Sequence, residues 1–257
     1  MKLRRKVRHI SREKERRLKD EDLFEVVEEV FDSLTMGIIY RLYNKGIIKD
    51  LKGVVSSGKE ARVYWAKGEG GKDIAVKIYL VSTSDFRRSI KKYIEGDPRF
   101  ESIPENNFRF LIYEWAKKEF RNLKRMKEAG VRVPSPIAVM GNVLVMEFLG
   151  EEGYRAPLLY EAEENLEHIY EDLMNQLRLM VCRAELVHAD LSEYNVMVWR
   201  GEPWIIDVSQ AVELSHPRAL EFLRRDIENL SLFFSKKLGR EFPQEFRGEV
   251  EECVMKA

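Results

Sequence analysis

Hydrophobic positions change their period several times along this chain, and each change marks an element. From Asp20 to Lys45, Leu23, Val26, Val27, Val30, Phe31 and Leu34 recur at three-to-four-residue spacing. This predicts an amphipathic helix followed by a second helical turn that closes near Gly46. Three β-rich runs follow at 51–57, 61–67 and 73–79, parted by the turn-forming SGKE and GEGGK, and predict an antiparallel meander. Periodicity lapses over 81–106. There Ser82, Thr83, Ser84, Ser89, Ser102, EGDPR and IPEN predict an inserted, mobile loop at 82–106 with a helical turn near 84–94.

Helical spacing returns at Phe108, Leu111, Ile112, Trp115, Glu119, Leu123 and Met126, and Gly130 stops the helix as a C′ glycine would. One member of that stripe, Glu119, is a carboxylate. The runs 133–140 and 143–148 around Gly141-Asn142 read as a β-hairpin. Beyond Gly150 the pattern is mainly helical. Leu166, Ile169, Tyr170, Leu173, Leu177, Met180, Val181 and Ala184 form one face of a long helix, and 217–236 and 242–256 form two more. A β-rich lobe at 51–149 therefore precedes a helical lobe at 150–257, with helices at 20–50 packed on them and an arm at 1–19.

Composition removes several classes. With 257 residues, 44% hydrophobic content and 11% aromatic content, the chain is neither disordered nor of low complexity. Lys+Arg and Asp+Glu number 44 each, so no global field drives binding to nucleic acid or membrane. Any such partner must use a local patch. Residues 1–17 hold nine Lys/Arg against two Glu, which fits an arm touching a phosphate backbone or an acidic surface as well as a solvated terminus. Two cysteines, Cys182 and Cys253, are too few for a disulfide framework or a zinc site, and we read both as packing residues in a reducing compartment. No stretch nears eighteen consecutive apolar residues, and no apolar segment follows the first charges. The expectation is a soluble, cytoplasmic protein with no membrane contact.

GVVSSGKE, Gly53 to Glu60, nearly matches a Walker A loop, but it ends in Glu60 rather than Ser/Thr and leads into a strand rather than a helix. A lid over phosphates between two strands fits better, and a plain hairpin turn would look similar. In IAVKIYL, alternation puts Ala75, Lys77 and Tyr79 on one face and Ile74, Val76 and Ile78 on the other. Lys77 then needs a partner, and Glu119 on its apolar stripe needs one too. A snorkelling lysine and an exposed glutamate satisfy the same pattern. The segment 186–210 carries His188, Asp190, Asn195 and Asp207 around two apolar runs, VMVW and WIID. A polar loop closed by an aspartate at a strand end can set one carboxylate beside a hydroxyl and offer a metal the Asn oxygen and the second Asp.

This constellation resembles the protein-kinase set of strand lysine, helix glutamate, catalytic loop and metal aspartate, written here VKIY, KEFRNL, HADLSEYN and IDVSQ. Ala189 stands where an arginine is usual, IDVS stands for DFG, and no A-P-E follows Asp207. Only 50 residues remain after Asp207, too few for an activation segment plus the usual helical platform. With SSGKEARVY, the long gap from Lys77 to Glu119, and HPRALEFLRRDIENL, the chain over about 35–240 resembles the RIO family of atypical serine/threonine protein kinases, type-one branch. The resemblance implies an α+β, bilobal kinase-like fold with a reduced helical C-lobe. It also implies ATP with Mg2+ or Mn2+, autophosphorylation, and a role in small ribosomal subunit maturation, including an ATPase-switch role in which Asp207 carries a phosphoryl group.

On that resemblance Lys77 holds the α/β-phosphates, Glu119 fixes Lys77, Asp190 accepts or orients the hydroxyl proton, and Asn195 with Asp207 holds the metal. Ser56, Ser57, Gly58 and Lys59 cover the phosphates. Val63 and Ala75 roof the adenine, Met197 and Ile206 floor it, Met146 sits at the back, and the backbone of Glu147 and Leu149 meets the base; all the apolar members would serve equally as ordinary core. Ser102 is the candidate self-modification site. The expected partners are ATP, a protein substrate with Ser/Thr, and a small-subunit precursor whose rRNA meets the basic arm. Two other readings share the motifs: a small-molecule phosphotransferase of the aminoglycoside or choline type, and a nucleotide-sensing scaffold on pre-ribosomes.

Overall fold

A helix laid over an antiparallel sheet forms the first half of the chain. The computed structural model describes residues 31–81, 90–97, 99–100, 103 and 107–257. The basic arm and most of the first predicted helix therefore lie outside the described residues. Helix α1 spans Ser33–Asn44. The Asp32 carboxylate accepts the N–H groups of Leu34 and Thr35, satisfying donors that the first turn leaves orphaned. The helix that begins after the Asp32 cap turns Met36, Ile38, Ile39 and Leu42 inward and Leu34 out to 55% exposure. Leu34 thus leaves the buried stripe in which the sequence pattern had put it.

Strands β1 (Asp50–Ser57), β2 (Ala61–Lys67), β3 (Asp73–Tyr79), β4 (Pro136–Met140) and β5 (Val143–Glu147) form one sheet in the order β1-β2-β3-β5-β4. All its pairings are antiparallel. The SGKE turn joins two strands, as a hairpin reading requires, and Gly58 donates to the Ala61 carbonyl. Met140 pairs with Val143 around Gly141-Asn142. Gly141 takes φ +54°, and a Cβ there would come 2.3 Å from an Ile38 methyl of α1, so both conformation and packing call for glycine.

The two faces of β3 have different fates. Ile74, Val76 and Ile78 join Val143, Val145, Tyr64, Ile39 and Leu42 in a core beneath α1. Ala75, Lys77 and Tyr79 occupy the opposite face, toward helix α2 (Phe108–Glu128) and the second half of the molecule. Asn107 caps α2 by accepting the Phe110 N–H, and Gly130 at φ +89° follows its end.

After β5 come a short hairpin, β6 (Gly150–Glu151) with β7 (Tyr154–Arg155), and helix α3 (Leu166–Arg178). The long helix expected through Ala184 changes to a π-helical turn at Leu179–Arg183. Strand β8 (Leu186–Val187) pairs with β11 (Val212–Glu213), and β9 (Val196–Trp199) pairs with β10 (Glu202–Ile205). Helices α4 (Ala219–Leu238) and α5 (Gln244–Met255) close the fold. Their apolar faces, with those of α2 and α3, build the larger core around Trp115, Tyr170, Phe222 and Phe234.

The stretch expected to be a mobile insertion is anchored where it is described: Ile90, Tyr93 and Phe100 are buried, and Tyr93 meets the Trp115 and Phe222 rings. Ser102 lies outside the described residues. Cys182 and Cys253 pack against the larger core, as read, but they are not free thiols: they form a disulfide across 71 residues of sequence, joining the π-helical turn to α5. This correction removes the basis on which a reducing compartment was read. No helix among the described residues is long and apolar enough to cross a membrane.

Candidate active site

A cavity of about 420 Å³ lies between the sheet and the helical half. Its wall comes from β1, β2, β3 and β5 on one side and from the catalytic-loop segment, β9 and the residues that follow β10 on the other. Lys77 is placed by strand alternation and is 7% exposed. Its Nζ lies 2.8 Å from Glu119 Oε1 and 2.8 Å from Asp207 Oδ1. Thus β3, α2 and the loop after β10 meet at one ammonium.

Burial works against the Lys77 charge, yet Asp207 and Glu119 together hold its pKa well above the ordinary lysine value. Burial pushes the Glu119 carboxyl up, and Lys77 opposes that rise. Tyr79 also donates its hydroxyl to Glu119. Burial likewise disfavours the Asp207 anion, but Lys77 and the Ser209 hydroxyl hold its pKa below the usual carboxylate value. Each charge in this group therefore has a partner, which is the condition for keeping ions out of water.

The catalytic-loop segment is held from beneath by α4. Asp226, fully buried, accepts the N–H groups of Ala189 at 2.7 Å and Leu191 at 2.9 Å. Burial pushes its pKa up to about 8 against those two bonds. Arg225 donates to the Ala189 carbonyl and Asn229 to the Leu191 carbonyl. Ala189 itself has φ +68°, an unfavourable conformation for a residue with a Cβ, and it persists because both its backbone groups are clamped. The consequence falls on its neighbour, Asp190, which stays exposed. Protein around its base partly desolvates the carboxylate and raises the Asp190 pKa, opposed first by His188. Buried His188 contacts the Ile206 carbonyl at 3.0 Å through Nε2, tying the catalytic loop to the segment that carries Asp207.

Asn195 donates its Nδ2 to the Asp190 carbonyl at 2.7 Å, which leaves its side-chain oxygen for a cation. Asn195 and Asp207 both line the cavity, and the Asp207 side chain is 49% exposed. No group of three or more His, Cys, Asp or Glu able to hold a metal occurs among the described residues. An amide oxygen and one carboxylate nevertheless fit Mg2+, a hard cation that is commonly bound by one or two carboxylates together with substrate phosphates and water.

The structure brings most sequence-predicted residues to this cavity: Ser56, Gly58, Lys59, Val63, Ala75, Lys77, Met146, Glu147, Leu149, Asn195, Met197, Ile206 and Asp207 line it. Glu119 stands behind Lys77. Ser57, paired with Arg62 at the end of β1, is not among the lining residues, nor is Asp190. The Glu147 N–H is engaged by the Ser135 carbonyl and the Leu149 carbonyl by the Ala156 N–H, so a base would use the other backbone group of each. Val55, Tyr79, Pro134, Phe148, Arg155, Leu158, Tyr194 and Ser209 also line the cavity and were not foreseen. Tyr79 had a signal, since it shares the β3 face of Lys77. For Leu158, bridged to Met197 from a distant turn, no local pattern exists.

A strand lysine paired to a helix glutamate on one side and to an aspartate of the other lobe on the other, with an asparagine lining the same interlobe cleft, is the arrangement of a phosphotransferase of bilobal protein-kinase-like fold. Comparisons with known proteins agree. The RIO domain family profile matches residues 62–246. The "RIO-type serine/threonine-protein kinase Rio1" of Haloferax volcanii is 48% identical over 222 residues, covering 86% of this chain and 76% of that one. The "Serine/threonine-protein kinase RIO1" of Caenorhabditis elegans is 44% identical over 230 residues, covering 88% of this chain but 45% of that protein. The chain belongs to the RIO family of atypical serine/threonine-protein kinases, on its type-one branch. The structure of the "Rio2 kinase-ADP/Mg2+-phosphoaspartate complex" from Chaetomium thermophilum superposes with a TM-score of 0.64 at 22% identity, covering 86% of this chain and 66% of that one, and shares the fold.

Proposed function

We propose that this protein transfers the γ-phosphoryl group of ATP to serine or threonine hydroxyls, its own included, and that it acts in small ribosomal subunit maturation. The observation that carries the catalytic reading is the shared ammonium: Lys77 is held by Glu119 from one lobe and Asp207 from the other, at the edge of a cavity with an apolar interior. Lys77 would bind the α/β-phosphates, and Ser56, Gly58 and Lys59 would cover them. The adenine would lie between Val63 and Ala75 on one side and Met197 and Ile206 on the other. Asp190 would orient the acceptor hydroxyl and take its proton. Asn195 and Asp207 would hold Mg2+ or Mn2+, which when bound offsets charge on the transferring group.

The Rio2 relative's ADP/Mg2+-phosphoaspartate state supports an ATPase mode in which the metal aspartate, Asp207 here, takes the phosphoryl group. The ribosomal role is supported by the family and by the nine Lys/Arg of residues 1–17, a suitable electrostatic contact for rRNA. A cytoplasmic location goes with that role. So does the division into arm, N-terminal helices, N-lobe and C-lobe.

The test is transfer of label from γ-labelled ATP. Asp190→Ala and Lys77→Ala abolish it, whereas Asp207→Ala also weakens metal-dependent nucleotide binding. Wild-type labelling in either of the first two variants rejects the assignment. For the ribosomal role, precursor small subunits stimulate ATP hydrolysis, and deletion of residues 1–17 lowers the salt dependence of RNA binding. A rate indifferent to precursor would remove that part.

A further inference from the structure

Helix α2 does more than carry Glu119. Two neighbouring buried side chains on the same helix reach the loop that follows Asp207. Lys118 donates from Nζ to the Ser209 carbonyl at 2.8 Å, and Asn122 donates from Nδ2 to the Val208 carbonyl at 2.9 Å and the Ala211 carbonyl at 3.3 Å. Both are sealed from solvent, at 0% and 2% exposure. Lys118 also lies 4.6 Å over the Trp115 ring. One helix thus grips three carbonyls between residues 208 and 211.

That grip passes to the carboxylate. Ser209, whose carbonyl Lys118 holds, donates its Oγ to Asp207 Oδ1 at 3.1 Å. Asp207 itself has φ +56°. A left-handed conformation is disfavoured for a side-chain-bearing residue and persists only where the surroundings over-determine it. Here the determinants are the Lys77 bond on one side and the gripped loop on the other. A buried lysine is a costly way to satisfy one carbonyl, and the cost is understandable if the loop's position matters.

Resting on the phosphoryl-transfer reading, we infer that Lys118 and Asn122 are positioning residues that hold loop 208–211 so that Ser209 orients the Asp207 carboxylate toward the divalent cation. Helix α2 is then the common seat of the phosphate lysine, through Glu119, and of the metal carboxylate, through Lys118 and Asn122. Displacing the helix would disarm both at once.

The experiment is calorimetric titration of the full chain with a non-hydrolysable ATP analogue, with and without Mg2+. In Lys118→Met and Ser209→Ala, metal-free affinity stays at the wild-type value while the Mg2+-dependent gain falls about 10-fold or more, the usual effect of losing groups that orient metal ligands. The double variant loses no more than the larger single loss, because the two side chains are links in one chain of contacts. Ser209→Ala removes a single oxygen, so it decides the matter even if Lys118→Met does not fold. An unchanged Mg2+-dependent gain in Ser209→Ala overturns the inference. Losses that add in the double variant, or equal weakening with and without metal, also overturn it, the latter marking a merely structural role. If the wild-type chain shows no Mg2+-dependent gain at all, the phosphoryl-transfer reading fails first and this inference with it.

Discussion

Lys77 Nζ lies 2.8 Å from Asp207 Oδ1 across 130 residues of chain. The same ammonium binds Glu119, whose side chain is 1% exposed, whereas the Asp207 side chain is 49% exposed. The two arms are therefore unequal. Glu119 is sealed from water while α2 stays in place, so Lys77 is its partner in this arrangement. Asp207 can exchange Lys77 for water, so its contact is the one that phosphate and a cation would replace.

This asymmetry predicts a stability pattern. Lys77→Met strands a buried carboxylate and lowers unfolding free energy by about 3–5 kcal/mol, the usual cost of breaking a buried pair. Adding Glu119→Gln removes the stranded charge and recovers most of that loss without recovering activity. Urea unfolding of the single and double variants measures it. A double variant no more stable than Lys77→Met would show that Glu119 is not held by that charge.

Asp226→Ala leaves the buried N–H groups of Ala189 and Leu191 without their acceptor. Each unsatisfied group costs roughly 1–3 kcal/mol, so the variant loses several kcal/mol. With the clamp on Ala189 gone, Asp190 loses its placement, and kcat falls further than ATP affinity does. Turnover compared with nucleotide Kd on the folded fraction checks this, and an equal fall in both would argue against it.

Acid lowers stability through His188. Burial depresses its pKa below the ordinary 6.5, and the Ile206 carbonyl only partly opposes this. The unfolded chain therefore binds a proton that the folded chain refuses. The contribution is fully present above pH 6.5 and is lost as pH falls through that value toward the depressed folded pKa. The limiting slope for one proton is about 1.4 kcal/mol per pH unit. His188→Gln removes this increment, so unfolding curves of the two proteins from pH 7 down to about 5 should differ in slope. Parallel curves would contradict it.

Reduction of the Cys182–Cys253 disulfide opens a loop of 71 residues. Chain entropy assigns roughly 4 kcal/mol to closing such a loop. Reducing agent, or Cys253→Ser, should lower unfolding free energy by an amount of that order while leaving ATP affinity unchanged, since the bridge lies among the C-terminal helices away from the cleft. Equal stability in oxidised and reduced protein would refute the estimate.

Much of this molecule follows from local pattern. Strand alternation in IAVKIYL put Lys77 on the face opposite Ile74, Val76 and Ile78, and helical spacing put Glu119 on the buried stripe of α2, because side-chain direction is dictated by backbone period. The order of His188, Asp190, Asn195 and Asp207 was legible because the kinase-like pattern it resembles is written on one loop and the strand end beside it. Tertiary contact decided the rest. Leu34 faces solvent because α1 turns Met36, Ile38, Ile39 and Leu42 inward, and Cys182 meets Cys253 only when α5 packs on the π-helical turn. The hold of Lys118 on Ser209 joins residues 91 apart in the chain. Pattern sets which way a side chain leaves its own backbone; which distant carbonyl, carboxylate or sulfur it meets is set by how the elements pack, and no period along the chain records that.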